Sequence, residues 1–168
     1  MIPYHDDYTT IWQRVHNMRP EIKLPTYEVE AGSDGTGFKS GNAWDRTFVY
    51  GKIMRKYVKV IITANIKSKK LIAVYVKISE VYKPKVAAKH IKLLKGNRIK
   101  LKKFYCDCAY DTNEAFNVIG DAESAIKIRK NATTYRCSRR RRQEVREYMK
   151  LGYKKWAKKV KYGLRWAI

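Results

Sequence analysis

The stretch Tyr57-Val58-Lys59-Val60-Ile61-Ile62-Thr63-Ala64-Asn65-Ile66-Lys67-Ser68-Lys69-Lys70-Leu71-Ile72-Ala73-Val74-Tyr75-Val76-Lys77-Ile78 decides the fold. Val58, Val60, Ile62 and Ala64 fall on one strand face, with Lys59, Ile61 and Thr63 opposite, and Ile72, Val74, Val76 and Ile78 repeat the pattern after a polar link. Side chains alternate across a strand, so two such runs joined by Lys67-Ser68-Lys69-Lys70 form a β-hairpin. Upstream, Tyr27 to Ser33 alternates enough for a strand, broken by Gly32 and a loop at Gly35-Thr36-Gly37, and residues 39–51 read as a connection. Tyr8 to Met18 reads as a short helix with Ile11, Trp12 and Val15 on one side, and Pro20 and Pro25 interrupt the chain beyond it. Residues 1–25 are thus a leader and residues 26–168 the folded core.

Downstream of the hairpin the period changes. Pro84 suits the first turn of a helix running to about Lys95, with Val86, Ile91 and Leu94 inward and Gly96-Asn97 at its end. Lys103 to Cys108 is a short strand, Thr112 an N-cap for a helix to Ile119, and Ala125 to Arg129 another short strand. Arg140 to Val160 is helical, with Val145, Met149, Trp156 and Val160 tracing one stripe that Gly152 interrupts. The order is three strands, then helix, strand, helix, strand, helix. Short connections between the first three make them an antiparallel meander, and strands reached through helices pair in parallel. The expectation is a mixed α/β sheet flanked by helices.

Charge dominates the composition. Thirty-eight Lys and Arg face fifteen Asp and Glu across 168 residues, a formal net charge of +23. The excess is uneven: residues 1–50 carry five basic and seven acidic side chains, whereas Lys127 to Lys161 holds fifteen basic residues against Glu144 and Glu147 alone. A solvated helix face ordinarily mixes both signs, so this run points to a polyanion, with nucleic-acid phosphate first. The run Arg139-Arg140-Arg141-Arg142 opposes the helix dipole at its start, a cost that a bound anion relieves. Arg129, Lys130, Arg136, Arg139, Arg140, Arg141, Arg142, Arg146, Lys154 and Lys155 are the expected DNA-backbone contacts. Cys106, Cys108 and Cys137 match no repeating metal spacing and read as reduced thiols. His5, His16 and His90 fit no ligand spacing, and most of the thirteen tyrosines and four tryptophans read as core and rim. No apolar run approaches a membrane span and no signal-peptide pattern opens the chain, so a cytoplasmic protein is expected.

Two carboxylates stand out. Asp34 closes the first strand of this reading and Asp107 ends the fourth, and the topology lays both strands in the middle of the sheet. Hard cations such as Mg²⁺ take oxygen ligands from separate elements and retain open positions for a phosphate. Either Asp alone would more commonly be a turn or cap residue.

Ser33-Asp34-Gly35-Thr36-Gly37-Phe38-Lys39 resembles the first-aspartate motif of DDE-type insertion-sequence transposases, and Gly41-Asn42-Ala43-Trp44 resembles the segment that comes after it. Lys56 to Val76 is similar to that family's paired strands, and Asp107-Cys108-Ala109-Tyr110-Asp111-Thr112 to its second-aspartate motif. Ile128-Arg129-Lys130-Asn131-Ala132 is similar to its basic strand end, and Tyr162-Gly163-Leu164-Arg165-Trp166-Ala167-Ile168 to the stretch just before its catalytic Glu. Motif by motif, the likeness runs from Tyr8-Thr9-Thr10-Ile11-Trp12 to the last residue. It implies a ribonuclease H-like fold in a prokaryotic, nucleoid-associated enzyme acting on transposon ends and target DNA, with a homodimer left open. Residues 1–25 would be the remnant of an upstream helical region. The chemistry implied is metal-dependent cleavage and strand transfer, with Asp34, Asp107 and a Glu beyond residue 168 holding two Mg²⁺ or Mn²⁺ ions. Asp111, in the same motif, would cap the next helix.

Several positions depart from the pattern. Ile61 stands where many relatives carry His, and Lys83 where an acid is common. The third acid is absent from the sequence, and Glu144 and Glu147 lie about five helical turns upstream of its place. The two-metal site is therefore expected to be incomplete and the chain to cleave DNA weakly or not at all by itself. The alternative readings are a non-catalytic, sequence-independent DNA binder or transposase remnant, and a ribonuclease H-like resolvase acting on branched DNA.

Overall fold

The central strand, β1 (Glu28–Lys39), pairs with a different partner on each side. The structure is a computed structural model that describes Asn17 and residues 22–39, 46–49, 52–55, 57–78 and 81–167. On one side β1 runs antiparallel to β4 (Tyr57–Asn65), which continues antiparallel into β5 (Leu71–Ile78). On the other it runs parallel to β6 (Lys100–Cys106), and β6 parallel to β7 (Glu123–Ile126). The five-stranded sheet has the order β5-β4-β1-β6-β7. Arg46–Val49 (β2), within the stretch expected to be a plain connection, and Lys52–Arg55 (β3), just beyond it, form a separate antiparallel pair. The expected helix Tyr8 to Met18, most of the 1–25 leader and the Gly41–Trp44 segment lie outside the described residues.

The hairpin expectation holds, and burial now assigns its faces. Ile61 and Thr63 are buried, whereas Val58, Val60 and Ile62 are only half-buried and Val76 is exposed. The face carrying Ile61 and Thr63 packs beneath α1 (Lys83–Gly96), whose Val86, Ala87, Ile91 and Leu94 are buried. Its His90 Nδ1 lies 2.8 Å from Thr63 Oγ1, joining helix to sheet. Helix α2 (Asn113–Ile119) covers the neighbouring part of the same face with Phe116 and Ile119, and Thr112 Oγ1 accepts from Ala115 N at its start, as the sequence expects.

Helix α3 (Arg139–Lys159) bends. Gly152 sits at φ 71°, ψ 163°, outside helical space, and the two segments on either side enter different clusters. Val145 packs in the main core, whereas Trp156 packs on the opposite sheet face with Tyr105, Ala125, Val160 and Tyr162. A single straight stripe would have buried Met149, which is exposed; the bend resets the helical phase between the two halves. A 3₁₀ turn at Tyr162–Ala167 comes next and returns the chain to the sheet centre, where the Tyr162 hydroxyl donates to the Cys106 carbonyl at 3.2 Å.

A carboxylate pair at the centre of the sheet

Asp34 does not close a strand. β1 continues to Lys39 because β4 supplies an antiparallel partner along the whole glycine segment, pairing Gly35 with Ile61 and Gly37 with Lys59. The parallel ladder to β6, however, ends at Gly32 opposite Tyr105. Asp34 therefore stands just past the point where β1 and β6 separate, and Asp107 adjoins the last residue of β6. Gly35 is required here by close approach rather than by a turn. A Cβ on it would sit 3.0 Å from Ile61 Cγ1 and 3.2 Å from Lys83 Cε, and Lys83 Nζ donates to the Gly35 carbonyl at 2.8 Å.

The two carboxylates are oriented in the same way. Asp34 Oδ1 accepts from Gly35 N at 2.7 Å, and Asp107 Oδ1 accepts from Ala109 N at 2.8 Å. Each thus has one oxygen fixed by backbone and turns its Oδ2 toward a common point. That point holds Arg165 Nη2, 3.1 Å from Asp34 Oδ2 and 3.9 Å from Asp107 Oδ2. The Arg165 side chain is only 12% exposed, and its Nε–H is buried without a partner among the described residues. Two residues 73 positions apart in sequence therefore share one cation, and that cation belongs to the protein.

Around the pair the walls are aromatic and thiol. Cys106 and Tyr110 are buried, and Ser33 Oγ lies 3.4 Å from the Tyr110 hydroxyl while donating to the Ile62 carbonyl. Burial pushes the Cys106 thiol and the Tyr110 phenol well above their ordinary pKa values, and raises Tyr162 to about 12, so all three are neutral at physiological pH. Negative charge at the site resides in the two carboxylates.

Asp34 and Asp107 suit a hard divalent cation by donor type, and the Oδ2 of each lies within 4 Å of the same Arg165 nitrogen. The occupant of that position does not suit it, since the guanidinium already stands there. Among the described residues no group of three or more His, Cys, Asp or Glu is arranged to hold a metal ion. Glu144 and Glu147 are engaged elsewhere. Glu144 pairs with Arg140 at 3.1 Å, burial raising its carboxyl above the usual range, and Glu147 pairs with Lys159.

Asp111 does not cap α2, a role Thr112 takes. Its carboxylate is buried and accepts from Arg141 Nε at 2.7 Å, Arg141 Nη2 at 3.1 Å and Arg129 N at 3.1 Å. This fixes the start of α3 against the loop after β7. The expected DNA contacts accordingly divide in two. Arg129 donates to the Cys108 and Ala109 carbonyls, Arg140 to Ala122 O, Arg141 to Asp111 and Thr133 O, and Arg142 to Cys137 O. Arg136 is exposed beside the Tyr135 ring, 5.1 Å from its centroid. Lys130, Arg139, Arg146, Lys154 and Lys155 are exposed, with no side-chain ion pair or hydrogen bond among the described residues. Sequence reasoning missed Arg165 as a member of the site. Its only signal was an arginine in the stretch that resembles the approach to the third acid.

No family model and no curated protein matches this chain. Among solved structures it is similar to a piggyBac transposase seen by cryo-EM in a synaptic complex with hairpin DNA. That likeness has a TM-score of 0.42 and 14% identity, covering 66% of this chain and 24% of that one. This chain therefore spans about a quarter of that protein's length.

Proposed function

We propose that this chain is the sheet-centred core of a DDE-type transposase with ribonuclease H-like topology, acting on DNA phosphodiesters. The observation that carries the reading is the convergence of Asp34 Oδ2 and Asp107 Oδ2 on one cationic position beside the point where β1 and β6 part. The strand order supports it: an antiparallel meander of β1, β4 and β5 extended on the other side of β1 by two parallel strands. Asp34 and Asp107 would hold Mg²⁺ or Mn²⁺, which when bound polarises the scissile phosphate and stabilises the departing oxygen. The backbone amides of Gly35 and Ala109 keep both carboxylates aimed, so little reorganisation is needed at the pair. Exposed Lys130, Arg139, Arg146, Lys154 and Lys155, joined by Arg136 and the more engaged Arg129, Arg140, Arg141 and Arg142, would lie along the DNA backbone. Such contacts are independent of sequence and weaken steeply with salt.

A second reading has its own observation. Arg165 in the cation's place suits a DNA-binding protein that performs no chemistry. Duplex binding in Mn²⁺ and in EDTA separates the two. A catalytic core gains affinity with Mn²⁺, and Asp34→Asn or Asp107→Asn removes that gain while leaving the salt-sensitive remainder. Binding indifferent to chelation in the intact chain and in both variants supports the non-catalytic binder.

A further inference from the structure

We propose that Arg165 is a tethered counter-ion for the Asp34–Asp107 pair, a latch that must leave before a divalent cation can enter. The inference rests on the reading of that pair as a cation site and adds how the site is closed. Arg165 Nη2 sits where both free carboxylate oxygens point, at 3.1 and 3.9 Å. A cation approaching the same oxygens meets a fixed positive charge that already offsets one of the two negative charges there. Binding of the ion and closure of the latch are mutually exclusive, so each weakens the other by the same factor.

The closed pose is held without being fully satisfied. Tyr162 anchors the 3₁₀ turn to β6 through the Cys106 carbonyl, which delivers Arg165 to the pair. Yet Arg165 Nε–H is buried with no acceptor among the described residues, a loss that opening to water would recover. An aromatic ring already lies beside it in the closed pose. Trp166 is 78% exposed, with its ring centroid 5.2 Å from Arg165 Cζ, so a guanidinium that leaves the carboxylates retains an aromatic face at the surface. The latch thus has a closed position with one orphaned donor and a neighbouring aromatic face on which to rest when open.

Mn²⁺ titration of the whole chain, monitored by calorimetry and by the fall of the free-ion paramagnetic signal, tests this without any need for activity. Arg165→Met keeps the side-chain stem and removes the charge; Arg165→Ala serves as a second variant, and thermal melting checks that each is folded. Both variants are expected to bind Mn²⁺ roughly tenfold or more tightly than the unaltered chain, within the usual span of coupling between sites. Adding Asp34→Asn to Arg165→Met should abolish the gain. Equal affinity in the unaltered chain and the folded variants would overturn the latch and leave the cation site standing. No binding in any of them would overturn both. A gain that survives Asp34→Asn would place the ion elsewhere and likewise overturn the latch.

Discussion

Asp111 and Arg141 form the most enclosed ion pair among the described residues, with side chains 0% and 13% exposed and two hydrogen bonds between them. Removing one member strands the other charge in a poorly hydrated place. Arg141→Ala should therefore lower unfolding free energy by about 3–5 kcal/mol in a denaturant titration, whereas Arg139→Ala, on exposed surface, should change it by less than about 0.5 kcal/mol. His90 gives a second test at this scale. Burial lowers its pKa below the ordinary 6.5, so the folded chain resists a proton that the unfolded chain accepts. The unfolded state then binds more protons below about pH 6.5, and stability falls as the pH drops from there toward the lowered value. His90→Gln, which keeps a polar partner for Thr63, should flatten that part of a melting-temperature profile; an unchanged slope between neutral pH and pH 5 would refute it. Residue roles were legible where the partner is close in sequence. Thr112 caps three residues ahead and Gly96-Asn97 ends α1 as expected. Asp111 was misread because its partner lies 30 positions away, and Arg165 was missed because its partners lie 58 and 131 positions away.

At the scale of elements, periodicity carried the hairpin β4–β5 and the inward face of α1, since both arise from local alternation. It failed at β1, where Gly32, Gly35 and Gly37 read as breaks although β4 holds them in a continuous ladder. Neighbouring strands, invisible to a local window, override intrinsic preference there. Helix α3 illustrates the opposite case, in which one glycine signalled a real break. Gly152 occupies φ 71°, ψ 163°, a region that is costly for any residue with a Cβ, although nothing lies within 4 Å of the Cβ it lacks. Gly152→Ala should destabilise the chain by about 1–3 kcal/mol; in a straight helix the same change would stabilise it by about 1 kcal/mol. The sign of the shift in a thermal melt therefore decides whether the bend exists in solution. Gly35→Ala, which must displace Ile61 or Lys83 beside Asp34, should disturb Mn²⁺ binding as well as stability.

Across the whole molecule, the sequence made the strongly basic character plain, because charge requires no fold to be counted. The fold decides which cations remain at the surface. Much of the Arg139–Arg142 run is turned onto carbonyls and acids, leaving Lys130, Arg146, Lys154 and Lys155 among the exposed ones. Removing one cation that touches a phosphate should reduce the logarithmic salt dependence of duplex binding by about 0.9. Arg146→Ala combined with Lys154→Ala should thus lower the slope by roughly 2 if both touch DNA, with no change if neither does. No described helix is long and apolar enough to cross a membrane. The mixed sheet was legible from element order, and its strand order brings Asp34 and Asp107 to one place, the premise on which the proposed chemistry of this chain stands. The most direct measurement is a crystal of the Arg165→Ala chain soaked in Mn²⁺ and recorded at the manganese absorption edge. An anomalous peak within coordination distance of both Asp34 Oδ2 and Asp107 Oδ2 is the expected result. Manganese bound elsewhere on the surface, with none between these two oxygens, would contradict the account.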